Sequence, residues 1–121
     1  MLWFMLWGIL GCRKVYQTGE ASWYGRQFAG RPTASGEIFR PYKKTAAHKK
    51  LPLGTKVKVT RIDTNKSVRV VINDRGPYVD DRIIDLSRRA ARKIQMIDEG
   101  TTEVEIRIIG CKKRTKRSKC D

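Results

Sequence analysis

The stretch KVKVTRIDTNKSVRVVI (residues 56–72) alternates apolar and polar side chains in two runs. Val57 and Val59 share one face of the first run, and Val68, Val70 and Ile72 share one face of the second. A period of two belongs to a strand with one face buried and the other wet. The polar Asp63-Thr64-Asn65-Lys66 between the runs is turn material, so the stretch reads as an antiparallel hairpin. Working outward, Glu103 to Ile108 repeats the same alternation, and shorter strands are expected around Ala21 to Tyr24 and Thr45 to His48. One helix interrupts them. Ser87 can cap it, and Leu86, Ala90, Ile94 and Ile97 fall along one side with Ala91 beside them. Arg88, Arg89, Arg92 and Lys93 take the wet side, where basic residues in a first turn cost roughly a few tenths of a kcal/mol each against the helix dipole. Short strands punctuated by Gly and Pro, with one small helix, predict a compact, mainly β barrel.

The chain of 121 residues has room for one core. Its ends read differently from its middle. Residues 1–12, MLWFMLWGILGC, form an apolar, uncharged run. That is shorter than the roughly 20 residues a membrane-spanning helix takes, and it suits the apolar part of a secretory leader. Ile9-Leu10-Gly11-Cys12 resembles a bacterial lipobox, which makes Cys12 the expected lipidation site and a membrane anchor. Residues 13–19 read as a linker, 20–110 as the barrel domain and 111–121 as a basic tail. With Cys12 lipidated, Cys111 and Cys120 remain and could close a short loop in an oxidising compartment. No thiol pair or nearby histidine has metal-ligand spacing, so neither a metal nor another cofactor is expected. A monomer is expected.

Lys and Arg number 27 against 12 Asp and Glu, a net charge of +15. The tail holds +5 of it, leaving +10 on the rest. Such a surplus favours an anionic partner: nucleic acid, acidic lipid or the carboxylates of a wall polymer. The tail itself is either a solvating segment or a polymer-binding arm.

Four segments depart from the strand pattern by mixing acids, Gly and a lone His. They are Thr33-Ala34-Ser35-Gly36-Glu37, Thr45-Ala46-Ala47-His48, Asn73-Asp74-Arg75-Gly76-Pro77 and Arg82-Ile83-Ile84-Asp85-Leu86-Ser87. Singly, each has a plain explanation: Glu37 as a surface carboxylate, His48 as a satisfied core histidine, Asp74 as a turn residue, Asp85 as an acid at a helix N-terminus. Acids in these segments also speak against a phosphate-binding groove, and no nucleic-acid partner is expected.

In order, ASWYG (21–25), TASGE (33–37), TAAHKKLPLGTKVKVT (45–60), NDRGPY (73–78) and RIIDLSRRAARKI (82–94) resemble the rare lipoprotein A family of bacterial cell-wall proteins. The likeness runs from about Glu20 to Ile109. It implies a six-stranded double-psi β-barrel related to expansins, a cell-envelope location, and endolytic cleavage of peptide-denuded peptidoglycan strands. The bond cut joins N-acetylmuramic acid to N-acetylglucosamine, leaving a 1,6-anhydromuramic end. The family's functional acid, histidine and acid match Glu37, His48 and Asp74, and Asp85 matches an aspartate placed beside the sugar in related barrels. An expansin-like protein that binds wall glycan without cutting it is a second reading, and a basic nucleic-acid-binding protein, motivated by charge alone, is a remote third.

Glycosidic cleavage needs a proton for the departing oxygen and stabilisation of an oxocarbenium-like centre. In lytic cleavage the muramic C6 hydroxyl is already tethered beside the anomeric carbon, so one acid that gives and then retakes a proton suffices. That acid must hold its proton near neutrality, which a second carboxylate nearby or burial would favour. Asp74 and Asp85 are the expected pair, one of them the donor and base, Asp85 slightly ahead, and the other tuning it. Glu37 and His48 are expected to orient substrate and hold the carboxylates by hydrogen bonds, with proton transfer by His48 also open. Arg75 is an expected substrate contact, as are Tyr24 and Tyr78, which with Trp23 could stack on sugar faces or belong to the core.

Overall fold

The computed structural model describes residues 14–25, 28–79 and 81–110. The leader with Cys12 and the tail with Cys111 and Cys120 lie outside these described residues. Six strands close a barrel: β1 (Val15–Trp23), β2 (Thr45–His48), β3 (Lys56–Arg61), β4 (Ser67–Asp74), β5 (Arg82–Leu86) and β6 (Thr102–Gly110). Around the barrel they run β1-β5-β2-β4-β3-β6, with β6 returning antiparallel to β1. Two pairs are parallel, β1 with β5 and β2 with β4. The hairpin read from residues 56–72 is present, Val57 opposite Val70 and Val59 opposite Val68.

The alternating residues fill the interior, as in any barrel too small to enclose a channel. Val57, Val59, Val68, Val70, Ile72, Ile84, Leu86, Val104 and Ile106 are buried there with Ala21 and Ala46. A short helix, α1 (Arg88–Lys93), closes one side of the core with Ala90 and Ala91, and the chain after it adds Ile94 and Met96. Ser87 caps α1 by accepting the Ala90 N–H.

Three readings are corrected. The strand β1 begins at Val15, so most of the expected linker over 13–19 is barrel wall, paired with β6 from Val15↔Arg107 onward. Gly19 sits inside that strand because Ile83 of β5 packs against it; an added Cβ would lie 2.9 Å from an Ile83 methyl carbon. The helix is shorter than its apolar spacing suggested. Gln95 turns left-handed (φ 58°), and the Gln95 and Met96 N–H groups bond back to the Arg92 and Ala91 carbonyls, so Ile97 packs from beyond the helix. Finally, Asp85 belongs to β5, and the first turn of α1 carries no acid.

Arg61, at the end of β3, reinforces that helix end. Its buried guanidinium donates to the Ile94 carbonyl (3.3 Å) and the Gln95 carbonyl (2.6 Å), and to Asp63 (2.7 Å) and Glu99 (2.8 Å).

Candidate active site

Strand register builds the site. Ala47 of β2 lies opposite Asp85 of β5 on one side and Asp74 of β4 on the other, and Asp85 is in turn level with Ser22 of β1. Cross-strand partners point to the same face, so Ser22, Asp85, Ala47 and Asp74 form one row over four strands. The row faces away from the core, because its neighbours Ile84, Leu86, Ala46 and Ala21 are the ones buried within it. Strict alternation along β4 would have put Asp74 inside with Val68, Val70 and Ile72. The register slips by one residue, since Ala46 faces Ile72 and Ala47 faces Asp74, and this bulge at Asn73 turns Asp74 outward. Strands lie about 4.8 Å apart, so the backbones bearing Asp74 and Asp85 are about 10 Å apart, with only the Ala47 methyl between them.

The two carboxyl groups have different surroundings. Both oxygens of Asp74 are engaged: Oδ1 accepts the Ala34 and Arg75 N–H groups, each at 2.9 Å, and Oδ2 accepts the Tyr24 hydroxyl at 2.9 Å. Asp85 accepts one hydrogen bond, from the Ser22 hydroxyl. Burial pushes the Asp85 carboxyl above the usual carboxylate range, the negative charge of Asp74 adding to the effect while Ser22 and Arg82 oppose it. Tyr24 is held protonated by burial and by its bond to Asp74, so it remains a donor. Its ring stands edge-on to Phe39 (4.8 Å between centroids) and tilted against Phe28 (5.4 Å). The row therefore carries one carboxyl that keeps its proton more readily, and beside it a fully hydrogen-bonded one.

Glu37 is near this row without joining it. The 33–37 turn is tied to β4 through the Ser35 N–H to the Asn73 carbonyl (3.1 Å) and the Ala34 N–H to Asp74. Gly36, at φ 89°, supplies the left-handed step that the turn needs. The Glu37 side chain takes a hydrogen bond from Ser35 (3.1 Å) and lines a shallow cavity of about 490 Å³ with Tyr42, Lys43, Lys44, Thr45, Val71 and Arg89. Thr45 and Val71 are partners two residues along β2 from Ala47, so this cavity adjoins the row on the same face, about 7 Å away.

His48 makes no hydrogen bond to either aspartate. Its Nδ1 accepts the Lys50 and Leu51 N–H groups, both at 3.0 Å, and is therefore unprotonated; Nε2–H donates to Gln17 Oε1 at 2.8 Å. Burial, and then the charges of Arg75, Lys49 and Lys50, lower its pKa to about 4. The Arg75 guanidinium donates to the Leu51 carbonyl (2.8 Å) and the His48 carbonyl (3.3 Å). Tyr78 is 84% exposed beyond the Gly76-Pro77 turn, while Trp23 packs against the core. The register thus gathers Asp74, Asp85 and Tyr24, sets Glu37 next door, and turns His48 and Arg75 toward backbone. Sequence reasoning missed Ser22 and Gln17. Ser22 lies within the quoted ASWYG motif, and only strand register reveals that it meets Asp85.

A family model described as lytic transglycolase matches residues 16–106. The chain is 54% identical over 92 residues to the endolytic peptidoglycan transglycosylase RlpA of Helicobacter pylori, covering 76% of this chain and 29% of that protein. With the protein of the same name from Vibrio cholerae it shares 52% over 100 residues, covering 83% and 38%. It thus spans roughly a third of the length of these curated relatives. Among solved structures, an expansin from Clavibacter michiganensis superposes with a TM-score of 0.59 at 20% identity, over 77% of this chain and 50% of that one, a likeness of fold. With its motifs, its barrel and these matches in hand, the chain belongs to the lytic transglycolase family, in the rare lipoprotein A group.

Proposed function

We propose that this barrel is an endolytic peptidoglycan lytic transglycosylase that cleaves glycan strands stripped of their stem peptides. The observation carrying this reading is the Ser22–Asp85–Ala47–Asp74 row, in which two half-buried carboxyl groups share one side of the sheet and burial raises the pKa of one of them. The names of the relatives that match most of the chain support it.

Asp85 donates its proton to the oxygen linking the two sugars as the bond from the muramic C1 to that oxygen breaks. The negative charge of Asp74 stabilises the oxocarbenium-like carbon. The muramic C6 oxygen then bonds to C1, and its proton returns to Asp85. No water is consumed; one product ends in a 1,6-anhydromuramic residue and the other in a free 4-hydroxyl. Tyr24 holds Asp74 in place. Glu37, in its cavity with Lys43, Lys44 and Arg89, binds the sugar hydroxyls of the adjoining unit, and the exposed Tyr78 ring offers a stacking face. A location in the cell envelope goes with such a substrate, and anchoring through a lipidated Cys12 and a monomeric working form belong to the same reading.

The test is to incubate the purified protein with peptide-free glycan strands and identify the products by mass spectrometry. Anhydro ends are expected. Free reducing ends would mean hydrolysis, and bound but uncut strands would mean an expansin-like binder; either overturns the lytic reading.

A further inference from the structure

His48 has no nitrogen left for a substrate. It is 2% exposed, its Nδ1 takes two backbone N–H groups of its own turn, and its Nε2 is spent on Gln17. A proton on Nδ1 would face those two donors head-on, and the charged residues around the ring are all basic: Lys49 and Lys50 on its own turn, Arg82 of β5, and Arg75 after β4. The ring cannot shuttle protons without giving up the contacts that define it. Those contacts lead somewhere specific. The turn they close presents the His48 and Leu51 carbonyls, and the Arg75 guanidinium bridges both. The Arg75 N–H in turn donates to Asp74 Oδ1.

We propose that His48 is a positioning residue: by closing the 48–51 turn it fixes the two carbonyls that hold Arg75, and through Arg75 the backbone that presents Asp74 to the substrate. This rests on the reading of Asp74 as part of the active centre. The relay runs by direct hydrogen bonds from Gln17 on β1 through His48, the turn and Arg75 to the end of β4. In this role the histidine acts through its shape and acceptor atom rather than its titration. An asparagine can replace it, because its side-chain carbonyl accepts the N–H two residues on, as in an Asx turn.

The experiment compares wild type with His48→Ala, His48→Asn, Arg75→Ala and the His48→Ala/Arg75→Ala double variant, all in the full chain, on peptide-free glycan strands. Because His48 acts through Asp74, its loss can cost no more than loss of the Asp74 charge. His48→Ala is expected to lose up to about tenfold in kcat with little change in KM, and His48→Asn to stay within about twofold of wild type. The double variant should be no worse than about twofold below the weaker single variant, since both act through one chain. The wild-type pH profile should show no inflection near pH 6.5 that His48→Asn removes. An asparagine variant as inactive as the alanine one, additive losses, or such an inflection overturns the proposal. A second readout does not need turnover: the carboxyl-carbon NMR signal of Asp74 should move in His48→Ala and Arg75→Ala and stay in His48→Asn. If wild type cuts no glycan, the transglycosylase reading fails while this signal still decides the relay; an Asp74 signal indifferent to His48→Ala sinks it.

Discussion

Carboxylates appear in two settings on this barrel. At the end of β3, Asp63 and Glu99 clasp the guanidinium of Arg61, which holds both below the usual carboxylate range. On the outer row over β1, β5, β2 and β4, Asp74 and Asp85 meet hydroxyl and amide donors instead, and burial moves Asp85 the other way. The first arrangement uses charge to tie a helix end to a strand. The second leaves a carboxyl able to give up a proton under mild conditions. The functional group is a carboxyl in both; what differs is whether a guanidinium bonds it directly and how much water is excluded.

Substituting Asp85 should break this contrast most sharply. Asp85→Asn is expected to lower the rate of anhydro-end formation by on the order of 100-fold or more, while thermal unfolding shows no loss of stability at neutral pH. The sign of its pH dependence is fixed. A carboxyl raised in the folded state contributes stability below its unfolded pKa of about 3.9, and that contribution is lost as pH rises through the folded value. Melting curves should therefore favour wild type over Asp85→Asn in acid, and the balance should swing toward the variant on approaching neutrality. Asp74→Asn should cost activity less, on the order of tenfold, because the proton donor survives. A fall matching that of Asp85→Asn would mean the two roles are exchanged.

At the other pole, Arg61→Met strips the Ile94 and Gln95 carbonyls of their donors. It should lower the melting temperature by more than Asp63→Asn does, with the activity of the folded fraction retained. The smallest effect is expected at the opposite end of α1. Ser87→Ala removes an N-cap that also accepts the Thr45 N–H; about 1 kcal/mol is lost, or roughly 4–8 °C in a domain of this size. Glycan cleavage should be preserved at temperatures well below that transition.

The periodic segments were legible because their alternation is local. Val57, Val59, Val68, Val70 and Ile72 fell where two-residue spacing put them, and the turn at residues 63–66 joined them. The start of β1 was not legible. Val15 to Gly19 mixes polar residues with glycine, and pairing with β6, more than eighty residues later, makes it a strand. Ordered motifs drew attention to Asp74 and Asp85, but their placement in one row depends on a register slip at Asn73 that no spacing announces. Nor does His-Lys-Lys-Leu signal an imidazole closing its own turn. Glu37 was found by motif, and its separate cavity follows from how the 33–37 turn docks on β4.

Closure of β6 onto β1 leaves the sheet without a terminal strand. Most of the ladder is paired within the barrel, so a polymer finds no whole strand edge on which to add itself as a seventh strand. Whatever this surface grasps must be gripped by side chains and by the loops that join the strands. Those loops can be exchanged while the ladder beneath them stays whole, which lets such a scaffold acquire a different appetite without refolding.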